Sequence, residues 1–197
     1  MWFTVTAAAD GYLAADVSGS NYSAGVIVGQ GSPGALSLVG CGQAGTAFPV
    51  AAGETYRILA FDDQLDGSGN GGTLHITVDV APPPPTIEAT LNPVAQFDSR
   101  SGGAYVSGTV TCDEGADFAF VDLQLTQRVG RLLIRGYGSA EVSCTGQAEQ
   151  WSALVLGDNG IFKGGKALSA SFATACNLVG CGEYYAEQTI QLKGKKG

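Results

Sequence analysis

The chain has 197 residues, enough for one large domain or two small ones. It carries 10 Lys and Arg against 18 Asp and Glu, a net charge of −8, and only 14% of its residues are charged. Its hydrophobic share of 45% is ample for a core, the low charge argues against a disordered chain, and the acidic balance argues against a nucleic-acid partner. A single histidine, His75, excludes His-rich metal sites and leaves acid–base catalysis poorly supplied.

The first residues predict neither a membrane span nor a signal peptide. Residues Met1 to Thr6 alternate like a strand and lack a basic region followed by an apolar one. The longest apolar run within the uncharged stretch Val17 to Gly53 is Ala24 to Gly29. That run is far short of the about 20 residues that a bilayer needs.

Residues 1–81 are predicted to form short strands separated by turns. No apolar pattern keeps a helical period for three turns, and turn residues recur at the spacing of an all-β sandwich. Alternating apolar side chains mark three strands by the faces they share: Phe3, Val5 and Ala7; Leu13, Ala15 and Val17; Leu74, Ile76 and Val78. Strongly apolar segments mark three more: Val26 to Val28, Leu36 to Val39 and Tyr56 to Phe61.

A proline segment, residues 82–86, predicts a linker between two domains. Four of the seven prolines fall there, and consecutive prolines form a semi-rigid extended spacer. Residues 1–81 contain seven acids and one base, a charge of −6, whereas residues 82–197 contain eleven acids and nine bases, a charge of −2. The predicted domains are therefore 1–81 and 87–193, with a basic tail at 194–197.

Residues 87–193 repeat the alternating pattern. About seven strands in this length favour an immunoglobulin-like sandwich. The residues expected to share a face on successive strands are Val106, Gly108, Val110 and Cys112; Val121, Leu123 and Leu125; Leu132 and Ile134; Ala140, Val142 and Cys144; Trp151, Ala153 and Val155; Leu168, Ala170 and Phe172; Ala186, Ile190 and Leu192.

Four of the five cysteines are predicted to form two disulfides. Cys112 and Cys144 both occupy core-facing positions, which suits a bond between sheets, and Cys176 and Cys181 have the spacing of a bridge across a hairpin. A zinc site would need tight pairs or His partners. Buried free thiols are the other alternative. Disulfides would place the protein outside the reducing cytosol. Cys41 is left over, either as a small buried hydrophobe or as an intermolecular thiol.

One loop resembles the first half of a calcium-binding loop. Oxygen-bearing side chains recur at alternate positions with a glycine at the turn, at Asp62, Gln64, Asp66 and Asn70. The position of the bidentate Glu holds Thr73, so a solvated hairpin loop is the alternative. Calcium is the one cofactor that the sequence suggests.

No catalytic residues are predicted, and the chain is interpreted as a non-enzyme. His75 lies on the threonine-bearing face of its strand, with no nucleophile suggested beside it. The carboxylate pairs Asp62/Asp63 and Glu141/Glu149 are too ordinary in an acidic chain to indicate glycoside hydrolysis.

Exposed aromatic rings are the main candidates for sugar binding by a β-sandwich, with packing in the core or at an edge as the alternative. The rings in question are Trp2, Tyr12, Trp151, Tyr184 and Tyr185. Arg128, Arg131 and Arg135 form the basic group that precedes the tail, and they are interpreted as a solvated strand face rather than an anion site.

The segment Trp2 to Gly11 (WFTVTAAADG), followed by Leu13 to Ser20, resembles bacterial pre-peptidase C-terminal-like domains. Those domains read tryptophan–aromatic–threonine–x–threonine–alanine, then a turn and a strand that ends in a Ser-Gly-Ser loop. Ala35 to Cys41 and Ala51 to Ile58 resemble the later strands of the family, so the likeness covers residues 2–80. The second domain resembles secreted bacterial immunoglobulin-like domains in pattern only.

This resemblance implies a jelly-roll-like sandwich on a secreted bacterial protein, non-catalytic and used for substrate or surface binding. Family members usually carry a strand before this motif, so we expect an open edge that a neighbouring chain could fill by strand addition. The family's acidic residues after the Cys41 position are replaced by Gly42 to Gly45, so its calcium chemistry is not carried over.

Three functions follow. The first is a secreted, non-catalytic protein with a binding or structural role at the cell surface, whose partners are copies of itself or a surface polymer, either protein or glycan. The second is a self-assembling subunit of an extracellular filament or virion surface. The third is a divergent enzyme or the accessory tail of one.

Overall fold

The structure, a computed structural model, describes residues 1–67, 69 and 71–194. It is all-β, as predicted, and the described residues contain no helix. The chain divides into two compact units, Met1–Pro83 and Pro84–Gly197. The division falls within the proline segment.

The first unit contains two antiparallel sheets that face each other across a shared core. The four-stranded sheet has the order β1-β6-β3-β4 and the three-stranded sheet the order β5-β2-β7. The strands are β1 (Trp2–Thr6), β2 (Gly11–Asp16), β3 (Ala24–Ser32), β4 (Ala35–Gln43), β5 (Gly45–Val50), β6 (Thr55–Asp62) and β7 (Thr77–Ala81).

Alternation explains the core of this unit, because every second side chain of a strand points to the same side. Both sheets contribute fully buried residues: Ala7, Ala15, Val17, Ala24, Val26, Val28, Phe48, Tyr56, Ile58 and Ala60. The rings of Phe48 and Tyr56 lie 5.6 Å apart, and the Tyr56 hydroxyl accepts the amide of Ala51 at 2.9 Å.

The turn between β4 and β5 carries the chain from one sheet to the other. Ala44 adopts a positive φ of 59°, its amide donates to Ala24 of β3 at 2.9 Å, and its carbonyl accepts the amide of Val17 at 2.8 Å. A Cβ on Gly42 would meet the carbonyl oxygen of Gly45. Only glycine allows the two segments to approach this closely.

The second unit contains eight strands. They are β8 (Ile87–Ala89), β9 (Val94–Phe97), β10 (Ala104–Cys112), β11 (Phe118–Val129), β12 (Leu132–Glu141), β13 (Glu149–Gly157), β14 (Gly165–Cys176) and β15 (Cys181–Gly194). The order is β13-β12-β11-β14-β15-β9-β10-β8, and β13 also pairs with β10. Seven strands, all except β8, therefore form a closed ring.

The ring differs from the immunoglobulin-like sandwich expected for this unit, in which two sheets stay separate. Strands β12 and β13 pair with each other at two positions, Gly136 with Gly157 and Tyr137 with Leu156. This pairing joins the two sheets that a sandwich would keep apart. A Cβ on Gly136 would meet the carbonyl oxygen of Leu156, so the glycine permits this approach. The sequence pattern marks strands but does not say where a sheet ends.

The face assigned to β14 was wrong. Leu168, Ala170 and Phe172 point outward, whereas the small residues between them fill the interior. Those interior residues are Ala167, Ser169, Ser171 and Ala173. Leu125 on β11, Ile134 on β12 and Phe162 in the loop before β14 already supply bulk to this core, so β14 has room only for small side chains.

The predicted faces of β10, β11 and β13 are buried as expected, whereas Leu132, which was expected to share a face with the buried Ile134, is 64% exposed. Leu132 and Glu141 bound a single strand, β12, where two strands were expected. Strands β8 and β9 were not predicted, because three or four residues are too few to show a period.

The ends of the predicted second domain shift slightly. Pro84 lies beside Gly180 and the carbonyl of Pro85 beside Gly182, so these linker residues pack within the second unit. Gly194, assigned to the tail, is the last residue of β15 and pairs with Phe97. The rest of the tail, residues 195–197, lies outside the described residues.

Candidate functional site

Both predicted disulfides form, and both lie in the second unit. Cys112 and Cys144 join the end of β10 to the segment after β12, with Cα atoms 5.0 Å apart. Cys176 and Cys181 close the hairpin between β14 and β15, where they also pair directly, with Cα atoms 4.0 Å apart. The alternative of buried free thiols is thereby wrong for these four residues.

Cys41 is exposed on β4 and makes no disulfide within the chain. The alternative of a small buried hydrophobe is therefore wrong. Its direct neighbour across the sheet is Ile27 of β3. An accessible thiol at this position can report on any neighbour that approaches β4.

The carboxylates of the predicted calcium loop accept backbone amides, both within the loop and from Ser23. Asp62 accepts the amides of Gln64 at 2.9 Å and Gly71 at 2.8 Å, and Asp66 accepts the amide of Ser23 at 3.2 Å. The fourth predicted ligand, Asn70, lies outside the described residues. Within residues 1–67, 69 and 71–194, no group of three His, Cys, Asp or Glu side chains is placed to hold a metal. Calcium here stays a prediction.

His75 is exposed in the first unit, and its amide donates to Ser20 at 3.0 Å. Asp16 lies nearby. The Ser18 side chain and amide hydrogen-bond its carboxylate and lower the pKa of Asp16 below its ordinary value.

Glu149, from one of the two carboxylate pairs, accepts the hydroxyl of Thr145 at 2.9 Å. The described residues contain no helix that could span a membrane.

The predicted aromatic candidates separate into buried and exposed rings. Trp151 is only 4% exposed and belongs to the core, and Tyr184 is half-buried against the same core. Tyr12 is half-buried in the first unit. Trp2 and Tyr185 are 57% and 60% exposed. These two rings remain available to a partner.

The three arginines lie at or near the hairpin between β11 and β12, and all are exposed. Arg128 pairs with Leu133 and Arg135 with Thr126, while Arg131 is at the turn. This placement agrees with a solvated strand face.

A row of apolar side chains crosses the outer face of the four-stranded sheet. Trp2 pairs with Leu59, Leu59 with Ile27, and Ile27 with Cys41, so one residue from each strand takes part. Ile27 is 37% exposed although it is a large aliphatic residue in a central strand. We call these four residues the apolar row. Beside it, a 700 Å³ groove lies between Trp2, Arg57 and Leu36.

The two outer strands of this sheet, β1 and β4, pair on one side only among the described residues. Met1 and Ala60 exchange both backbone hydrogen bonds, at 2.5 and 2.9 Å. Because bonded and non-bonded pairs alternate along antiparallel strands, the backbone N–H and C=O of Trp2 and Thr4 point away from β6, toward the open edge.

The same alternation applies to β4. The amide of Ala44 bonds the carbonyl of Ala24, so the Ile27–Cys41 pair, three positions along, is non-bonded. The backbone groups of Cys41 therefore also point toward an open edge. The row thus ends at both sides of the sheet in residues whose backbone is free to pair.

A second surface feature lies on the outer face of the second unit. A groove of 590 Å³ crosses β12, β11, β14 and β15 and is lined by Tyr137, Gln124, Asp122, Phe172 and Tyr185. We call these five residues the aromatic groove. Only Tyr185 among them was a predicted site residue. Phe172 was missed because its strand was assigned the opposite face, and Tyr137 because its neighbours Gly136 and Gly138 interrupt the pattern.

No family model matches the chain, and no curated protein is significantly similar to it in sequence. Among solved structures it is similar to AggA, the major subunit of aggregative adherence fimbriae type I from Escherichia coli. The likeness has 13% identity and a TM-score of 0.31, and it covers 58% of this chain and 98% of that one.

Two glycosidases are also similar to the chain. A β-glucuronidase from Bacteroides uniformis is 13% identical with a TM-score of 0.27, over 96% of this chain and 26% of that one. A β-galacturonidase from Eisenbergiella tayi is 10% identical with a TM-score of 0.28, over 96% of this chain and 35% of that one. The chain spans about a third or less of either enzyme, and scores of this size do not establish a shared function.

Proposed function

We propose that this chain is a non-catalytic, extracellular subunit that assembles with copies of itself by extending the four-stranded sheet of its first unit. The observation that carries the proposal is the apolar row, which runs between two open edges of one sheet. Unpaired edge strands are templates for strand addition, and natural monomers usually blunt them with charges or prolines. Neither β1 nor β4 contains a charged residue or a proline.

Strand directions favour addition of a second copy in the same orientation. Strand β1 runs antiparallel to β6, β6 to β3 and β3 to β4, so β1 and β4 themselves run in opposite directions. A copy shifted sideways therefore presents its β1 antiparallel to β4 of its neighbour. Such a contact joins two different surfaces and repeats without closing, which generates a filament.

The apolar row of one copy would also line up with the apolar row of the next copy across that contact. Trp2 of the added copy would stand opposite Cys41, and both residues direct their backbone groups to the shared edge. Both side chains lie on the outer face, so the row would continue from copy to copy. Burial of Trp2 and Ile27 against a neighbour would add a hydrophobic contribution to the backbone hydrogen bonds.

Charge placement supports the same surface. Residues 1–81 carry seven acids, yet the four strands of this sheet contain only Asp62, at the end of β6. The single base on these strands is Arg57, whose side chain donates to the carbonyl of Gly31 at 3.1 Å. The repulsive charge of the unit is thus kept off the face that a second copy would meet.

The extracellular location rests on the two disulfides, because such bonds persist in oxidising compartments and are rare in the cytosol. A non-enzymatic role is part of the proposal. Assembly needs only backbone edges and apolar contacts, which this surface supplies.

The test is the solution mass of the full chain by size-exclusion chromatography with light scattering, over a range of protein and salt concentrations. We expect species well above 20.0 kDa that grow with salt, because salt screens the repulsion between chains of charge −8. Thr4→Lys places a charge at the open edge of β1. It should raise the protein concentration needed for assembly by about tenfold, or about 1.4 kcal/mol.

Thr77→Lys is the matched control, because it makes the same charge change on β7, an edge strand of the other sheet. A monomer under all conditions would overturn the proposal, and so would an equal effect of both variants. Cys41→Ser separates sheet extension from thiol cross-linking without reducing the other two disulfides. Loss of assembly in that variant would also overturn sheet extension.

A further inference from the structure

The aromatic groove presents three large rings on the outer face of the second unit. Tyr137 and Tyr185 are 58% and 60% exposed, and Phe172 lies between Asp122 on β11 and Tyr185 on β15 as their direct partner. Exposed apolar patches of this kind mark sites of interaction in soluble proteins. The interior of β14 uses small residues, so packing of the core does not account for Phe172.

Hydrogen bonds hold two of the rings in place. The Gln124 amide donates to the Tyr137 hydroxyl at 2.6 Å, and the Tyr185 hydroxyl donates to Glu187 at 2.5 Å. The bond to Glu187 raises the pKa of Tyr185 above its ordinary value. Rings fixed in this way lose little conformational freedom when a ligand binds.

The polar atoms that remain are mostly acceptors. The Asp122 carboxylate makes no hydrogen bond to any described residue, Gln124 uses its amide nitrogen and leaves its carbonyl oxygen, and Glu187 has a second oxygen. No lysine or arginine lines the groove. The complementary ligand therefore brings hydroxyl donors and apolar C–H faces but no negative charge.

We propose that the aromatic groove is a binding site for neutral hexopyranose glycans. The C–H face of a pyranose ring packs on Tyr, Phe or Trp, while its hydroxyls donate to carboxylate and amide oxygens. Strands β12 and β14 stand about 10 Å apart across β11, so Tyr137 and Phe172 border a surface formed by Asp122, Gln124 and Ala170. This activity goes beyond assembly and uses the other unit.

The geometry disfavours two other occupants. A peptide strand has no edge to join here, because β11 and β14 are paired on both sides at these residues. A small organic cation is bound by rings that converge around it, whereas these rings are spread over three strands of an open face.

The test is calorimetric titration of the full chain with cellohexaose, mannohexaose, maltohexaose and chitohexaose, together with retention on insoluble cellulose and chitin. Thr4→Lys is titrated in parallel, so that a failure of assembly is distinguishable from a failure of glycan binding. At least one glycan should bind, and Tyr137→Ala and Tyr185→Ala should each weaken it by about tenfold. Asp122→Asn should weaken it less, because the amide oxygen still accepts.

Tyr105→Ala is the matched control, because it removes an exposed tyrosine from β10, on the opposite layer of the second unit. It should leave glycan binding unchanged. Folding of each variant is checked by thermal unfolding with the disulfides intact. The proposal is overturned if the chain binds none of these glycans, if it binds heparin, choline or a lysine-rich peptide in their place, or if Tyr105→Ala weakens binding as much as Tyr137→Ala.

Discussion

In the first unit the sheets end at β1, β4, β5 and β7, whereas in the second unit β13 pairs back onto β10 and closes a ring. An open sheet leaves backbone groups available to a neighbouring chain, and closure removes them. The same chain therefore contains one unit with four edge strands and one unit whose sheet is closed apart from the three-residue edge strand β8. This difference is the reason why we propose self-association for the first unit and ligand recognition for the second.

Covalent cross-links follow the same division. Both disulfides lie in the second unit, and the first unit has only the exposed thiol of Cys41. The charge follows the same division, because residues 1–81 carry a net charge of −6 and residues 82–197 a net charge of −2. The second unit is thus stabilised within the chain, while the first has surface left for contacts between chains.

The test with the largest expected effect removes the disulfide between Cys112 and Cys144 by changing both residues to serine. The bond closes a separation of 32 residues, so the second unit should lose about 4 kcal/mol of unfolding free energy. The first unit should be unaffected. Hydrogen exchange followed by mass spectrometry checks both expectations at once, in β10 for the second unit and in β3 for the first.

The matched control changes Cys176 and Cys181 to serine instead. Their separation is 5 residues, so the loss should be nearer 2 kcal/mol. Equal losses from the two pairs, or faster exchange in β3 of either variant, would break the comparison.

A smaller test concerns the polar residues inside the second unit. Ser171 donates its hydroxyl to the carbonyl of Ala186 at 3.2 Å, whereas the buried hydroxyl of Ser169 has no partner among the described residues. Ser171→Ala should cost about 1 kcal/mol. Ser169→Ala should be neutral or stabilise by up to about 1 kcal/mol, because it removes an unpaired polar group.

Urea unfolding followed by Trp151 fluorescence measures both serine variants, since this tryptophan lies in the core of the second unit. A cost for Ser169→Ala as large as that for Ser171→Ala would mean that the Ser169 hydroxyl is paired in solution.

Sequence periodicity was sufficient where one face of a strand is apolar and the other polar. Val106 and Val110 on β10, and Trp151 on β13, are buried as their spacing predicts. Periodicity failed on β14, where serine and alanine alternate with leucine and phenylalanine and the smaller set is inside. Which set faces inward depends on the volume that other strands leave, and that volume is not encoded in the strand itself.

The same limit applies to the two surface features. Trp2 and Tyr185 could be identified as exposed rings, but the apolar row also needs Leu59 and Ile27, which come from strands with a continuous apolar pattern. Such runs do not reveal their outward face. Moreover, register between strands is a long-range property, so residues that stand side by side in the sheet are far apart in sequence.

The smallest expected effect concerns the start of the second unit. The Asp113 carboxylate accepts both the amide and the hydroxyl of Thr86 at 2.8 Å, and its own amide donates back to the Thr86 carbonyl at 3.2 Å. The Thr86 amide, and then its hydroxyl, lower the pKa of Asp113 below its ordinary value of 3.8.

A pKa that is lower in the folded state than in the unfolded state stabilises the fold at pH values above the unfolded pKa. This stabilisation is lost as the pH falls through the folded-state pKa. Acid should therefore lower the melting temperature of the second unit, and Asp113→Asn should flatten part of that dependence. Glu114→Gln is the control, because it makes the same charge change at an exposed neighbour. If both variants flatten the curve equally, general charge accounts for the effect, and the proline segment is not anchored through Asp113.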